Sequence, residues 1–259
     1  QTRRGGVPGV QPCALPIWER KPRQRATDRV TGGVVLLRHI SNFTDFNILE
    51  RDERVNLFYT NNTADIEKAD IIILPGTKAT LDDLYELRKN GVAQAIVRAH
   101  RNGKTVIGIC GGYQMLGQSV LVPHAVEGSI PQLPGLGLLD TITEMLPEKT
   151  TRQTDFIFNG KECKGYENHQ GITTYSQGND RAGQKADLIV SGNNCTGTYL
   201  HGFLDNSAVT DHFITPLCKS KAKAGNVSIE EFKNRQYDLL ADHVRKYVDI
   251  EKLIKIMTP

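Results

Sequence analysis

The stretch TVIGICGGYQMLGQ, Thr105 to Gln118, decides the fold of this chain. Its β-branched start predicts a short buried strand, the glycines predict a sharp turn, and the segment from Tyr113 can be helical. A single thiol, Cys110, lies at the apex, where many hydrolases carry the nucleophile of a strand–turn–helix elbow. The N–H groups at the start of the helix favour the thiolate form. The alternative interpretation is a buried structural cysteine at a strand end.

Short apolar runs alternate with helical segments on the N-terminal side of this elbow. The runs are typical of buried strands, and they are Gly33–Leu37, Val55–Tyr59 and Asp70–Leu74. Apolar residues at helical spacing then predict one long helix from Thr80 to about Asn102. This alternation predicts an α/β fold with a mostly parallel central sheet flanked by helices.

The middle of the chain follows a different pattern. It alternates and turns without a long helix, and its expected strands are Gly137–Met145, Thr154–Phe158 and Lys164–Tyr175. Asn159-Gly160 is a strong signal for a hairpin turn between the last two. We therefore expect antiparallel strands in the middle section, followed by helices toward the C-terminus.

The composition excludes several classes of partner. The chain has 259 residues, 39% of them hydrophobic and 24% charged, and a formal net charge of +3. That charge is too small to indicate nucleic acid or an acidic membrane surface as a partner, and no apolar run approaches the length of a transmembrane helix. No CxxC pair occurs among the five cysteines, so we expect no metal site. The odd cysteine count without a secretory signal favours reduced thiols and a cytoplasmic location.

Residues 1–29 do not have the pattern of a folded segment. They are rich in Arg, Pro and Gly and lack hydrophobic periodicity. A disordered basic tail is one interpretation. Another is an artefact, because the run GVQPCALPI (Gly9 to Ile17) resembles a translated sequencing adaptor. We therefore expect the folded domain to span residues 30–259.

A thiol at an elbow needs a base, and His201 is the best candidate among the seven histidines. It follows the run TGTYL at the C-terminal end of an expected strand. In open parallel sheets, sites gather outside the carboxyl ends of the strands, so Cys110 and His201 should lie at the same edge. The alternative is a histidine that only hydrogen-bonds a loop.

Acyl transfer also needs donors for the developing oxyanion. The N–H of Gly111 directly follows the thiol. Gly76, in the run LPGTK after the neighbouring strand, could supply a second N–H. A plain strand-to-helix turn would also explain Gly76.

Several motifs resemble one family. GICGGYQ fits the G-x-C-x-G-x-Q pattern of class I glutamine amidotransferases, which implies a flavodoxin-like fold. The runs LPGTK, GYENHQG and GTYLHGFLD follow in the family's order and resemble the glutaminase half of cobyric acid synthases. RHISNFTDFNIL, Arg38 to Leu49, resembles the segment that opens the C-terminal domain of that family. The resemblance covers Val34 to Val248.

The resemblance implies a role for each matched residue. Cys110 would attack the side-chain amide of glutamine, and His201 would activate the thiol and protonate the leaving ammonia. The remaining matched residues are expected in the oxyanion hole (Gly76 and Gly111) or against the glutamine substrate (Gln114, Glu167 and His169). For Glu167 and His169 a charged hairpin without a site role remains open.

One position departs from the wider superfamily. Many class I glutaminases carry a Glu two residues after the catalytic histidine, and this chain has Phe203 there. We therefore expect a Cys–His dyad. The group that orients His201 is left open, with Asp205 or a backbone carbonyl as candidates.

The resemblance implies a larger enzyme. The family's synthetase domain uses ATP and magnesium to amidate adenosylcobyrinic acid a,c-diamide, and no G-x-x-x-x-G-K-[ST] loop occurs in this sequence. We therefore expect residues 30–259 to be the glutaminase domain, with no cofactor of its own, working in cis with a synthetase domain and its corrinoid acceptor. The alternatives are a separate glutaminase subunit of another ligase, such as one that amidates a peptidoglycan lipid, and a non-catalytic module that keeps the fold.

Overall fold

A six-stranded sheet carries the elbow on one of its central strands. The computed structural model describes residues 29–123, 130–218 and 229–250, together with Lys252 and Ile256. The strands of this sheet are, in chain order, β1 (Val30–Val35), β2 (Val55–Thr60), β3 (Ile71–Leu74), β4 (Thr105–Ile109), β9 (Ile189–Gly192) and β10 (Cys195–Thr198). Their spatial order is β2-β1-β3-β4-β10-β9, and every neighbouring pair is parallel except β10 with β9. The expected mostly parallel α/β sheet is confirmed.

The middle of the chain forms a second, largely antiparallel sheet. Its strands are β5 (Ser119–Leu121), β6 (Gln132–Pro134), β7 (Thr141–Phe158), β8 (Lys161–Tyr175) and β11 (Leu200–His201), in the spatial order β11-β8-β7-β5-β6. β7 and β8 form a long hairpin, with a bulge in β7 between Glu144 and Lys149. The turn uses positive φ at Asn159 (50°) and Gly160 (75°), as the Asn-Gly signal predicts.

Seven α-helices accompany the sheets within the described residues. They are α1 (Asn47–Arg51), α2 (Thr63–Lys68), α3 (Thr80–Lys89), α4 (Val92–Arg101), α5 (Gly111–Leu116), α6 (Ser207–Ile214) and α7 (Ile229–Tyr247). The expectation of one helix from Thr80 to Asn102 is wrong. Gly91 takes a left-handed conformation (φ 83°), which an α-helix cannot contain, and the chain turns there between α3 and α4.

Two apolar layers cover the faces of the parallel sheet. Side chains alternate along β3, so that Ile72 and Leu74 enter one layer while Ile71 and Ile73 enter the other. Helices α2 to α5 pack in the first layer, and α1 and α6 pack in the second. Burial on both faces explains why these strands are continuous apolar runs in the sequence.

Two sequence expectations remain untested by the fold. The interpretation of residues 1–29 as a disordered or artefactual tail falls almost wholly on residues 1–28, which lie outside the described part of the chain. The boundary at residue 30 stays a prediction for the same reason. Within the described residues, none of the helices is both long and apolar enough to cross a membrane.

Candidate active site

The elbow forms at the end of β4. Cys110 has φ 53° and ψ −113°, a backbone conformation that is rare for residues other than glycine. Helix α5 begins at the next residue. A Cβ atom on Gly112 would lie 2.1 Å from the backbone oxygen of Leu74, so only glycine fits there. The small residues of the motif therefore let the turn press against β3 and present the thiol at the carboxyl end of the sheet.

The structure brings His201 to Cys110, as expected from their positions at strand ends. β10 pairs with β4 in parallel, and the N–H of Cys110 donates to the carbonyl of Thr198 at 2.8 Å. Three residues later the chain reaches His201. A Cβ on Gly76 would lie 3.3 Å from Cε1 of His201 and 3.6 Å from Cβ of Cys110, so the three residues meet at one point.

Asp45 holds the imidazole of His201 through the ring nitrogen Nδ1. Its Oδ2 lies 2.7 Å from Nδ1 of His201, and its Oδ1 accepts the backbone N–H of Gly202 at 3.0 Å. Both side chains are buried, with His201 0% and Asp45 3% exposed. The carboxylate therefore fixes both the ring and the backbone that carries it, and Nε2 is the ring nitrogen that remains for chemistry at the thiol.

The electrostatics of the pair favour a protonated ring. Burial disfavours the charged imidazolium, but the hydrogen bond and charge of Asp45, together with Cys110, outweigh burial and raise the pKa of His201 to about 10. An imidazolium at this position stabilises negative charge on Sγ of Cys110.

Sequence reasoning did not find Asp45. The structure places this residue on Nδ1, where the sequence suggested Asp205 or a backbone carbonyl. The signal was present, since Asp45 lies in the quoted segment RHISNFTDFNIL after β1, and β1 also ends at the carboxyl edge of the sheet. From sequence alone, the segment is distinguished only by its resemblance to the family. It forms a 3₁₀ turn at Phe43–Phe46, followed by α1.

Two further side chains contact the ring of His201. The side-chain nitrogen of Asn42 lies 3.0 Å from Nδ1 and 2.9 Å from Nε2. Tyr166 stacks on the ring with centroids 5.2 Å apart and an angle of 27° between the planes. Contacts on several sides hold the imidazole in one orientation.

Gln114 lies in the wall of the site, and its amide group is engaged with protein atoms. Its Oε1 accepts the hydroxyl of Thr80 at 3.0 Å, and its Nε2 donates to the carbonyl of Gln170 at 2.8 Å and to the hydroxyl of Tyr199 at 3.3 Å. The residue is 2% exposed. These bonds tie α3, α5 and β8 together beneath the thiol. Contact between Gln114 and a substrate stays a prediction.

His169 reaches the site, while Glu167 lies behind it. Nε2 of His169 lies 3.4 Å from Oε2 of Glu167, and the ring stacks on Tyr199 with centroids 3.6 Å apart. Burial lowers the pKa of His169, so its ring is neutral at pH 7. Burial opposes ionisation of Glu167, but Arg152, Thr154 and His169 outweigh burial and lower its pKa. Glu167 thus orients His169, which faces the thiol's cavity.

A cavity of about 270 Å³ opens onto the thiol. Its lining comes from the loops after β1 and β3, from the elbow and from the β7–β8 hairpin, and consists of Ser41, Asn42, Thr77, Lys78, Thr80, Cys110, Gln114, Met145, Lys149, Asn168, His169 and Gln170. Sγ of Cys110 is placed to donate to the carbonyl of Asn168 at 3.7 Å. A small polar substrate can therefore reach the thiol. Among the described residues, no three His, Cys, Asp or Glu side chains converge as metal ligands would.

The oxyanion donors expected from the sequence lie next to the thiol. Gly111 opens α5 directly after Cys110, and Gly76 lies against both Cys110 and His201. The carbonyl of Gly76 accepts the N–H of Ser41 at 2.9 Å, which fixes the loop after β3. Their role in binding an oxyanion stays a prediction.

The order of strands and helices defines an α/β fold with a mostly parallel sheet. Two solved structures share it: a crystal structure of a glutamine amidotransferase (TM-score 0.53, 16% identity, covering 72% of this chain and 97% of that one) and PurLQS from Thermotoga maritima (TM-score 0.52, 16% identity, covering 73% and 99%). At these identities the likeness shows the fold alone.

The sequence comparison identifies the family. The model of the CobB/CobQ-like glutamine amidotransferase domain matches residues 33–209, and the chain belongs to this family. Cobyric acid synthase of Bacteroides fragilis (strain ATCC 25285) is 55% identical over 238 residues, which cover 89% of this chain and 48% of that protein. Cobyric acid synthase of Phocaeicola vulgatus is 51% identical over 246 residues, covering 92% and 50%. The chain spans about half the length of the curated relatives it matches.

Proposed function

We propose that this chain is the glutaminase domain of a cobyric acid synthase. One observation carries the chemical part of the proposal: Cys110 and His201 meet at the carboxyl edge of the sheet, and buried Asp45 holds the far nitrogen of His201 at 2.7 Å. This arrangement suits a thiol that attacks an amide carbon. The names of the relatives support the assignment to a cobyric acid synthase.

The first half of the reaction releases ammonia. The Cys110 thiolate, stabilised by the His201 imidazolium, forms a bond to the side-chain carbonyl carbon of glutamine. The resulting oxyanion is held by the N–H groups of Gly111 and Gly76. Nε2 of His201 then gives its proton to the leaving nitrogen, the C–N bond breaks, and ammonia and a glutamyl thioester remain.

The second half regenerates the thiol. Neutral His201 takes a proton from water, and the hydroxide adds to the thioester carbon. The C–S bond breaks, glutamate leaves, and the imidazolium again faces the thiolate. The new γ-carboxyl group loses its proton to solvent, so glutamine and water give glutamate, ammonia and one proton. Asp45 keeps its hydrogen bond to Nδ1 throughout and so keeps Nε2 directed at the reacting atoms.

The use of the ammonia is also part of the proposal. In a chain of the relatives' length, the ammonia would amidate adenosylcobyrinic acid a,c-diamide in an ATP- and magnesium-dependent synthetase domain. The nucleotide, metal and corrinoid sites would belong to that domain, and the glutaminase would need no cofactor. The cytoplasmic location expected from the cysteines stays a prediction.

Labelling and hydrolysis test the glutaminase assignment. The purified chain should release glutamate from glutamine, and 6-diazo-5-oxo-L-norleucine, a glutamine-shaped electrophile, should label Cys110. Cys110→Ala should lose both, while Cys218→Ala, a change at a half-buried thiol after α6, should lose neither. A wild-type chain that is folded and neither hydrolyses glutamine nor takes the label would be a non-catalytic module.

A second experiment tests the acceptor. With the chain joined to the synthetase half of a relative, Cys110→Ala should abolish glutamine-dependent amidation of the corrinoid and retain ammonia-dependent amidation. Loss of both activities in a folded Cys110→Ala enzyme would contradict the division of labour.

A further inference from the structure

The cavity on Cys110 has an uneven distribution of charge. Two lysines, Lys78 and Lys149, contribute to its lining, and no Asp or Glu does so. Glu167, the nearest buried carboxylate on the hairpin, lines a separate cavity on the far side of His169. Because the pKa of His169 is lowered, its ring adds no charge at neutral pH. Apart from the reacting sulfur of Cys110, the lysines therefore set the charge of the cavity.

The two lysines approach the cavity from different elements. Lys78 lies on the loop between β3 and α3, two residues after Gly76. Lys149 lies on β7 where the bulge ends, paired in the ladder with Gln170. That pairing places Lys149 on the strand next to the carbonyl that anchors Gln114. The bulge therefore positions Lys149 beside the wall of the thiol site.

Both ammonium groups are available to a ligand. Both lysines are exposed, and neither forms an ion pair with another described residue. In contrast, Lys104 pairs with Asp70 at 3.0 Å, and Arg152 pairs with Glu167 at 2.6 Å. Lys78 and Lys149 thus offer positive charge that is not paired with any carboxylate in the described part of the chain.

We infer that Lys149 and Lys78 bind the α-carboxylate of the substrate whose side-chain amide lies on Cys110. This inference rests on the proposed function and deepens it. Four C–C bonds separate the amide carbon of glutamine from its carboxylate carbon, a span of about 5 Å with bonds of about 1.5 Å. A cavity of about 270 Å³ lined by Cys110 and by both lysines has room for such a molecule, with its amide toward the thiol and its carboxylate toward the lysines.

The inference sets the order of substrate preference. The substrate class is a γ-carboxamide with a free α-carboxylate. Blocking that carboxylate, as in glutamine α-amide, should weaken use of the substrate more than blocking the α-amino group, as in N-acetylglutamine. The cavity offers the amino group neutral acceptors, such as the backbone carbonyl of Asn168.

Alkylation of Cys110 tests the inference without requiring turnover. 6-Diazo-5-oxo-L-norleucine carries the α-carboxylate, and iodoacetamide is a neutral electrophile that lacks it. For Lys149→Met and Lys78→Met we expect the second-order rate with the first reagent to fall about 10-fold each, the effect of losing one charge-assisted contact. The rate with iodoacetamide should stay unchanged. Lys149→Arg should retain most of the wild-type rate.

A matched control is Lys161→Met, which removes an exposed lysine at the far end of the same hairpin and should change neither rate. Equal rates for wild type and the Lys78→Met/Lys149→Met double variant with 6-diazo-5-oxo-L-norleucine would overturn the inference while leaving the proposed function standing. A wild-type chain that reacts with iodoacetamide but not with the glutamine-shaped reagent would instead contradict the proposed function.

Discussion

Oδ2 of Asp45 lies 2.7 Å from Nδ1 of His201, although the two residues are 156 positions apart in the chain. Asp45 comes from the turn after β1, and His201 comes from β11 at the end of the described strands. Phe203 occupies the position where many class I glutaminases carry the orienting acid, and its ring packs in the apolar layer below the sheet. The carboxylate on Nδ1 of His201 therefore comes from the turn after β1 and not from the residues that follow His201.

The first prediction concerns this carboxylate. Asp45→Asn should lower kcat/KM for glutamine by about 10²- to 10⁴-fold, because the amide no longer holds the tautomer that directs Nε2 to the thiol. It should also shift the pH profile of Cys110 alkylation to higher pH, since the neutral amide stabilises the imidazolium less. A change that merely loosened the fold would lower the rate without moving the profile.

The control is Asp205→Asn, which alters the acid suggested by the sequence. It should keep most of the glutaminase activity and the wild-type pH profile. If Asp205→Asn lowered the activity and shifted the pH profile while Asp45→Asn did neither, the assignment of Asp45 as the positioning residue would be wrong.

The second prediction follows from the raised pKa of His201. The folded state holds the proton more tightly (pKa about 10) than an ordinary histidine (pKa about 6.5), so the pair contributes its full stability below about pH 6.5. That contribution is lost as the pH rises through 10. The difference in unfolding free energy between wild type and His201→Gln should therefore shrink between pH 6.5 and 10, as measured by urea unfolding.

The comparison variant for this titration is His243→Gln, on exposed helix α7. Because this side chain is exposed, its difference from wild type should be small. A difference for His201→Gln that stays constant from pH 6.5 to 10 would show that the ring is not charged in the folded protein.

Local patterns explain which parts of the fold could be predicted. Burial on both faces produces the apolar runs of β1, β3 and β4, and the Asn159-Gly160 turn needs two positive φ angles that Asn-Gly adopts readily. Cys110 can be recognised in the sequence as a candidate nucleophile because its turn needs glycines next to it. Each of these signals lies within a few neighbouring residues, so one sequence is enough to find them.

The parts that could not be predicted depend on long-range packing. Asp45 is one acid among 29 acidic residues until the fold places it on His201. The break between α3 and α4 was missed because apolar spacing continues across Gly91, and a glycine inside a helical pattern is tolerated often enough to be overlooked. The exposed Lys149 has no distinguishing context until the bulge in β7 brings it to the cavity.

The third prediction concerns the packing of the elbow. Gly112→Ala should destabilise the protein by at least about 2 kcal/mol, because the new methyl group overlaps the backbone oxygen of Leu74 and must displace α5 or β3. Thermal unfolding measures the effect. Gly192→Ala, in β9, is the matched change, since no atom lies within 4 Å of the added methyl group. Equal melting temperatures for the two variants would mean that the elbow is not packed as described.

The fourth prediction concerns a buried ion pair between Arg54 and Asp52, just before β2. Arg54, at the start of β2, is 7% exposed and donates to Asp52 at 2.6 Å and to Asp211 of α6 at 2.8 Å. Arg54→Ala should destabilise the protein by about 3–5 kcal/mol, because it leaves the buried carboxylate of Asp52 without its partner.

The surface pair Arg98–Glu67, with both side chains about half exposed, provides the comparison for Arg54. Arg98→Ala should cost less than about 1 kcal/mol, because water and salt screen an exposed pair and solvate the remaining charge. Urea unfolding of both variants at the same ionic strength separates the two cases. A cost for Arg54→Ala as small as that for Arg98→Ala would mean that water reaches Asp52 and solvates its charge.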